Sequence, residues 1–328
     1  MIRRIAYALS LLLVVLAASI VPMPVVEFSP GGATSIPGEL LEVDDSLDTT
    51  PISGDLSLLT VRLGHPSLVE VLRAVASPLR DLQDRRAVFP QGVRDQEYLD
   101  LQQEEFRRTF ELAVAVGLEA AGVAGSVASA PVVAQVLPDG PAAGKLRAGD
   151  VLLAIDGEEV GSRAELIDRS LGLEAGQTVV LTVERDGEEV DVAVEAGLVP
   201  GLDRPGFGIA LADVLEDVEL PEGIDMRSTR IGGPSAGMMV ALTTYDLFSD
   251  EDLAAGREIA GTGTIDADGV VGPVGGVEGK VVAAVAAGVD VLLVPAEHAE
   301  EATGQPHGEL RIVPVATLDE AIAALRDG

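Results

Sequence analysis

Gly232-Gly233-Pro234-Ser235-Ala236-Gly237-Met238 opens an apolar segment that continues to Phe248 with no helix-breaking residue after Gly237. Proline suits the first position of a helix, because the first N–H groups of a helix have no partners within it. The pattern predicts that Ser235 lies at a helix N-terminus, where backbone N–H groups and the helix dipole stabilise a developing oxyanion. Taken alone, a serine here is more often a cap or turn residue. A nucleophilic serine also needs a base.

A second glycine-rich segment supplies a candidate base. Gly275-Gly276-Val277-Glu278-Gly279-Lys280 precedes a helix predicted over 281–287. A lysine near the positive end of a helix dipole has a lowered pKa, which favours the neutral amine that a general base requires. Of the 22 basic residues only Lys145 and Lys280 are lysines, and arginine does not lose its proton in proteins. The alternative is a solvated lysine at the start of a helix.

Together these two segments resemble the Lon protease family. GGPSAGM is similar to its nucleophile motif and TGTIDADGVVGPVGGVEGK to its lysine motif, and the similarity continues through VDVLLVPAEHAEEA. The resemblance implies a Ser–Lys dyad with Ser235 as nucleophile and Lys280 as base. It also implies that Thr262 holds the amine, and we count Gly233 and Pro234 as supporting residues. Many members of the family have an aspartate three residues before the serine, but this chain has Gly232 there.

Residues 131–195 have the pattern of a separate domain. Strands are predicted over 132–137, 151–155, 177–184 and 189–194, with a helix around 164–170. The Asp-Gly pair at 186–187 is typical of a β-hairpin turn. DGPAAGKLRAGDVLLAIDGEEV resembles the PDZ domain of exported bacterial proteases. This resemblance implies capture of extended peptides, often by their C-terminal carboxylate, with the peptide-facing loop near 122–127. A PDZ-like spacer without a ligand is the alternative.

The N-terminal segment has the pattern of a membrane anchor. Arg3 and Arg4 precede an uncharged apolar run over 5–21, which as a helix is about 25 Å long, just enough to span a bilayer. The preceding positive charges predict a single-pass protein of the cell membrane, with most of the chain outside the cytoplasm. The alternative is a cleaved signal peptide, because Ala17-Ala18-Ser19 offers small residues near a possible cleavage point.

Between the anchor and the PDZ-like segment, the pattern predicts a short strand over 40–43, with loops around it. It further predicts a strand over 55–63, a helix over 67–75 and a long core-facing helix over 97–120. The layout is similar to that of membrane-anchored PDZ–Lon proteases and implies an α+β fold. The expected parts are the anchor (1–28), a first part of the Lon-like fold (29–121), the PDZ domain (122–198), which precedes or is inserted into the catalytic domain, and the α/β Lon-type domain that carries the dyad (199–328).

Composition excludes several classes of function. The net charge of −32, with 3% aromatic residues and no tryptophan, excludes nucleic-acid binding. The absence of cysteine removes disulfides and thiolate sites, and three histidines leave little for a metal centre. We expect no cofactor and no metal. Val274 and Val281 replace the first glycine and the Ser/Thr of a P-loop, so activity should not need ATP. Asp266–Gly269 predicts a hairpin turn rather than a calcium loop.

The expected function is that of a membrane-tethered, ATP-independent serine endopeptidase. Its partners would be protein or peptide substrates, unfolded or with free C-termini, and the membrane through residues 5–21. A non-catalytic PDZ-bearing adaptor and a quality-control chaperone remain alternatives. A Ser–His–Asp triad with His298 also remains open, although the glutamates around His298 are typical of a solvated helix surface. The sequence leaves the oligomeric state open.

Overall fold

The computed structural model describes residues 7, 16, 18–75, 80–89, 93–123, 126–199 and 204–326. The strands, in chain order, are β1 (Val25–Ser35), β2 (Leu41–Val43), β3 (Gly54–Gly64), β4 (Asp81–Asp84), β5 (Ser126–Val136), β6 (Val151–Ile155), β7 (Glu158–Glu159), β8 (Thr178–Arg185), β9 (Glu188–Glu195), β10 (Gly197–Leu198), β11 (Pro205–Gly206), β12 (Ile209–Glu219), β13 (Ile224–Met226), β14 (Arg257–Gly261), β15 (Thr264–Ile265), β16 (Val271–Gly272), β17 (Val291–Pro295) and β18 (Arg311–Val315). The α-helices are α1 (Leu68–Val75), α2 (Arg85–Val88), α3 (Asp95–Ala120), α4 (Arg163–Leu171), α5 (Gly237–Phe248), α6 (Val277–Ala287), α7 (Ala299–Thr303) and α8 (Leu318–Arg326).

The chain folds into two compact units. The first comprises residues 1–123, 222–265 and 270–328, and the second comprises residues 124–221 and 266–269. The chain therefore leaves the first unit after Val123 and returns to it at Glu222. Of the residues expected to form the membrane anchor, 5–21, most lie outside the described residues. In the parts of the chain that are described, no helix has both the length and the apolar character needed to cross a membrane.

The first unit is built on a six-stranded sheet of order β18-β17-β14-β3-β1-β4. The strands from β18 to β3 are parallel, whereas β1 is antiparallel to β3 and β4. Helix α5 is buried from Gly237 to Asp246 and packs against α3. The two helices approach closely at Gly117, where a Cβ would lie 2.4 Å from the carbonyl oxygen of Ala241. Helix α5, which begins two residues after Ser235, is therefore part of the core of the first unit.

Strand β1 corrects the expectation of loops around the short strand at 40–43. It runs through Pro30-Gly31-Gly32, and its register with β3 shifts between Pro30 and Ala33. A Cβ on Gly31 would lie 2.3 Å from the carbonyl oxygen of Thr60. These residues, which look like a turn in the sequence, form a bulge within a strand, where glycine permits the close approach. The predicted strand at 55–63 and the predicted helices at 67–75 and 97–120 are confirmed as β3, α1 and α3.

The second unit contains a sheet of order β12-β5-β6-β8-β9, with β7 paired to β6. The predicted hairpin is confirmed, because Asp186 and Gly187 join β8 to β9 with φ of 55° and 80°. Asp150, 1% exposed, accepts bonds of 2.7 and 2.6 Å from the guanidinium of Arg185. These bonds lower the pKa of the Asp150 carboxyl despite its burial, and they join the residue before β6 to the last residue of β8.

The second unit extends beyond the expected boundary at residue 198. Strand β12 pairs antiparallel with β5, from Ile209 opposite Val136 to Glu219 opposite Ser126. This pairing places the segment up to Pro221 in the second unit. The long separation of the two strands in sequence explains the difference, because no local pattern links them.

Candidate active site

The segment Gly232–Ser235 forms a loop between β13 and α5 that lies against helix α3. The N–H of Gly233 donates a hydrogen bond of 2.9 Å to the carbonyl oxygen of Gln102. A Cβ on Gly232 would lie 2.9 Å from the Cβ of Gln102. Gly233 has φ of +84°, in the region that favours glycine. Both glycines are therefore needed where the loop meets the helix.

Ser235 lies just before helix α5, not within its first turn. The helix begins at Gly237 with Ala236 as its N-cap, so the expectation that Pro234 occupies the first helical position is wrong. The carbonyl of Pro234 instead accepts a bond from Gly237 N–H. The carbonyl oxygen of Ser235 accepts two hydrogen bonds, from Gly263 N–H at 2.9 Å and from Thr262 Oγ1 at 3.0 Å. The backbone at Ser235 is thus held by two residues that follow β14, and not by α5 itself.

Lys280 lies in the first turns of α6 and points into the protein, not into solvent. Its residue surface is 2% exposed, and Nζ donates a hydrogen bond of 2.8 Å to Thr262 Oγ1. Among the described residues no carboxylate forms an ion pair with it. Burial lowers the pKa of the Lys280 amine from 10.5 to about 8, because the charged form is poorly solvated there. The amine therefore loses its proton at a lower pH than an exposed lysine does.

Thr262 connects the two candidate catalytic residues. Its hydroxyl accepts the hydrogen bond from Lys280 Nζ and donates one to the carbonyl oxygen of Ser235. A hydroxyl group can do both at once. Thr262 is fully buried, so water does not compete for these bonds. The threonine that the family resemblance implied beside the lysine therefore contacts both the lysine amine and the serine backbone.

Ser235 and Lys280 line the same cavity, which has a volume of about 420 Å³. Residues 58–61 of β3 form one wall, and the loop residues Gly232, Gly233 and Ala236 lie beside the serine. Beyond Leu58, β3 has no partner strand among the described residues on its β14 side. Glu39 and Arg230 also line the cavity and are exposed. The cavity is apolar along the strand and charged at these two residues.

His298 does not line this cavity. Its Nε2 accepts a hydrogen bond of 3.2 Å from Val274 N–H, and its Nδ1 lies 2.9 Å from the carboxylate of Glu301. The imidazole therefore holds the loop before α6 and is not the solvated group expected from the sequence. Both of its nitrogens are engaged away from Ser235, which argues against the triad. Among the described residues, no group of three or more acidic or histidine side chains is arranged to hold a metal ion.

Three further residues lie at this site, Gln102, Glu39 and Arg230, and none of them was expected from the sequence. Gln102 belongs to the polar part of α3, and it holds the loop through its backbone carbonyl, which no side-chain pattern reveals. Glu39 lies in the π-helical turn Ile36–Leu40, within a stretch interpreted as loop. Arg230 is five residues before the serine, and this proximity was the one available signal.

A second cavity, of about 240 Å³, lies in the second unit. Helix α4 contributes Leu166 and Ile167, and the segment from Arg204 to Ile209 contributes the opposite side. Strand β12 is at the edge of its sheet. Of the peptide-facing loop expected near 122–127, residues 124–125 lie outside the described residues, so its place stays a prediction. The loop at 204–208, which lines the cavity, directly precedes the edge strand β12.

At this second cavity, one guanidinium nitrogen of Arg204 is in an unfavourable environment. Its Nη1 is buried and has no hydrogen-bond partner among the described residues. A buried guanidinium nitrogen without an acceptor is unfavourable. An incoming carboxylate would satisfy it. The cavity therefore combines an apolar surface with an unsatisfied cationic donor.

Two family models match different parts of the chain, with bounds that differ from those of the two compact units. Residues 213–326 match the model of the Lon protease (S16) C-terminal proteolytic domain, and residues 109–196 match the PDZ domain model. The Lon protease of Azorhizobium caulinodans is 34% identical over 108 residues, which are 32% of this chain and 12% of that protein. The human peroxisomal Lon protease homolog 2 is 31% identical over 119 residues, which are 35% of this chain and 14% of that protein.

The PDZ part has separate relatives. The pro-apoptotic serine protease nma111 of Aspergillus oryzae is 45% identical over 62 residues, 19% of this chain and 6% of that protein. The crystal structure of the PDZ domain of a SdrC-like protein from Listeria innocua is 30% identical and covers 25% of this chain and 92% of that chain, with a TM-score of 0.24. The chain thus spans only a small part of the curated relatives it matches. It combines a PDZ domain with a serine peptidase domain of the Lon type.

Proposed function

We propose that this chain is an ATP-independent serine endopeptidase with a Ser235–Lys280 dyad. The observation that supports it most directly is Lys280: a buried amine with a pKa lowered to about 8, without a counter-ion among the described residues, in the cavity that Ser235 lines. A structural lysine would be expected to pair with a carboxylate or to reach solvent. A buried amine that loses its proton far more readily than an exposed lysine, in the same cavity as a serine, suits general-base catalysis.

The proposed reaction begins with transfer of the Ser235 Oγ proton to Lys280 Nζ as Oγ attacks the scissile carbonyl carbon. The tetrahedral intermediate then collapses, and Lys280 returns the proton to the leaving amine. Water, deprotonated by the same amine, hydrolyses the acyl-enzyme and frees Ser235. Thr262 acts as a positioning residue, because its hydroxyl holds Nζ from one side and the Ser235 carbonyl from the other.

Stabilisation of the oxyanion is assigned to backbone N–H groups just before α5. Among the described residues, the N–H groups of Ser235 and Ala236 have no hydrogen-bond acceptor, and both residues line the cavity. The positive end of the α5 dipole lies at the same place. Donors of this kind, fixed before the substrate arrives, are typical of acyl-transfer enzymes. The N–H of Gly233 is not a candidate donor, because Gln102 already accepts its bond.

Substrate capture is assigned to the second unit, and tethering to the N-terminal segment. The groove between α4 and β12 offers an edge strand for an added peptide strand, an apolar surface for its last side chain, and Arg204 for its carboxylate. Residues 5–21 would hold the protein in the cell membrane with the two units outside the cytoplasm. The catalytic fold would consist of the first unit, with the PDZ unit inserted between residues 123 and 222.

The test uses an unfolded protein substrate without ATP. Wild type should cleave it, whereas Ser235→Ala and Lys280→Arg should not, because the first lacks the nucleophile and the second retains a proton. Matched controls are Ser228→Ala, an exposed serine of the same segment, and Lys145→Arg, an exposed lysine; both should retain activity. Full activity of Lys280→Arg would refute the dyad. Peptide binding by wild type without any cleavage would favour an adaptor.

A further inference from the structure

Helix α1 exposes its apolar side chains. Leu68, Leu72 and Val75 are 40%, 65% and 76% exposed, and Ala74 is the buried residue of this helix. Their spacing of four and three residues places them on one face. An exposed apolar face of this kind on a helix indicates a surface that contacts something apolar.

The start of α1 is joined to the segment that follows the apolar N-terminal run. The Ser67 N–H and hydroxyl each donate a bond of 2.8 Å to the carboxylate of Glu70, which fixes the first turn. Pro22 forms an isolated β-bridge with Ser67, and Met23 N–H donates to the carbonyl of Pro66 at 2.8 Å. The apolar run over 5–21 is therefore followed directly by Pro22, which pairs with the residue just before α1.

The sequence around α1 is positively charged within a strongly acidic protein. Residues 62–94 contain six arginines and three acidic residues, a net charge of +3, whereas the whole chain has −32. Arg62, Arg73 and Arg86 form no ion pair with any described residue. Helices α1 and α2 both contact β4, the edge strand of the sheet. An apolar helix face within a positively charged segment of the sequence matches the surface of an anionic bilayer.

We propose that α1 lies in the lipid–water interface, with Leu68, Leu72 and Val75 among the lipids and the neighbouring arginines at anionic headgroups. This inference rests on the proposed membrane tether. Three apolar side chains alone would bind a bilayer weakly, but a tether that ends beside α1 keeps the helix at a high effective concentration near the surface. The contact would fix which edge of the first unit faces the membrane.

The test places a polarity-sensitive fluorophore at Leu72. The chain has no cysteine, so Leu72→Cys provides one labelling site, and Leu198→Cys, at a residue 73% exposed in the second unit, provides the matched control. The full chain is reconstituted into phosphatidylcholine–phosphatidylglycerol vesicles. We expect the Leu72 probe to shift to the blue and to be quenched at least twofold by nitroxide-labelled lipids, while the Leu198 probe is unchanged. Adding Leu68→Gln and Val75→Gln should reduce the shift.

Three results would overturn the proposal. If the chain floats with the vesicles but the Leu72 probe is as solvated as the Leu198 probe, α1 does not contact lipid and the tether stands. If the chain does not float with the vesicles, the tether and the lipid contact both fail. If the Leu72 probe shifts in detergent without vesicles, in proportion to protein concentration, a second copy of the chain covers α1.

Discussion

The backbone N–H of Gly233 is bound to the backbone carbonyl of Gln102 at 2.9 Å. This bond joins the loop that carries Ser235 to the N-terminal half of α3, more than a hundred residues earlier in the chain. A helical carbonyl normally accepts from the residue four positions on, so this oxygen serves the loop as an additional partner. The position of Ser235 therefore depends on the position of α3.

Substitution of Gly232 by alanine should reduce activity without unfolding the protein. A Cβ there would lie 2.9 Å from Gln102 Cβ and 3.2 Å from its backbone carbonyl carbon, so the loop must shift away from α3. A displacement of about 1 Å at a nucleophile lowers kcat/KM on the order of 100-fold. The matched control is Gly275→Ala, because a Cβ at Gly275 meets nothing within 4 Å. Peptide hydrolysis and thermal unfolding measure both effects; equal activity of the two variants would contradict the prediction.

Substitution of Thr262 by valine should lower kcat more than it changes KM. It removes the acceptor of the Lys280 Nζ bond and one of two donors to the Ser235 carbonyl. The loss of a buried hydroxyl of this kind destabilises a protein by about 1–3 kcal/mol. Thr262→Ser keeps the hydroxyl and should restore most of kcat. Steady-state kinetics of the two variants provide the comparison; an unchanged kcat in Thr262→Val would show that the hydroxyl does not position the amine.

The pH dependence of kcat/KM should report the Lys280 amine. Only the neutral amine accepts the serine proton, and its pKa is lowered to about 8. Activity should therefore rise tenfold per pH unit below about 8 and level off above it. An activity that levels off above about pH 6.5, the ordinary pKa of histidine, would instead indicate a histidine base. Measurement of initial rates between pH 6 and 10 distinguishes the two.

Local patterns predicted much of the fold of the first unit. The period of apolar residues gave α3, and the glycines with the following apolar run gave α5 and α6. Strand β1 was missed because Pro30-Gly31-Gly32 is typical of a turn, whereas here it forms a bulge against Thr60. A bulge and a turn use the same residue types, and the pairing with β3 decides between them.

Contacts between distant parts of the chain explain the rest of what the sequence missed. The edge strand β12 pairs with β5, over seventy residues earlier, and this pairing brings the loop at 204–208 to the start of an edge strand, which no local pattern signals. The bond from Gly233 to Gln102 joins two backbone groups, so no residue type signals it. Ser235 and Lys280 were predicted as a pair because two separate segments resemble the Lon family motifs, and their roles stay a prediction.

Peptide capture should depend on Arg204 and on the apolar side of α4. Arg204→Gln removes the charged donor, and Ile167→Asp introduces a repelling carboxylate; each should weaken binding of a peptide with an apolar C-terminal residue by at least tenfold, on the scale of a lost charged hydrogen bond. Leu171→Asp is the control, because Leu171 is exposed on the same helix and does not line the groove. Fluorescence anisotropy with the free-acid peptide and its amide tests the carboxylate; equal binding of the two would exclude it.

Substitution of Lys280 by methionine should abolish activity and yet stabilise the protein at pH 7. The unfolded chain holds the lysine proton up to pH 10.5, whereas the native amine loses it above about 8. Between these values the unfolded state binds more protons, so native stability rises with pH. At pH 7 the buried charge lowers the free energy of unfolding by about 3 kcal/mol at most, which methionine avoids. Thermal unfolding should show a higher midpoint for Lys280→Met at pH 7 and a smaller difference near pH 10; a lower midpoint at pH 7 would mean that the native protein gains from the charged amine.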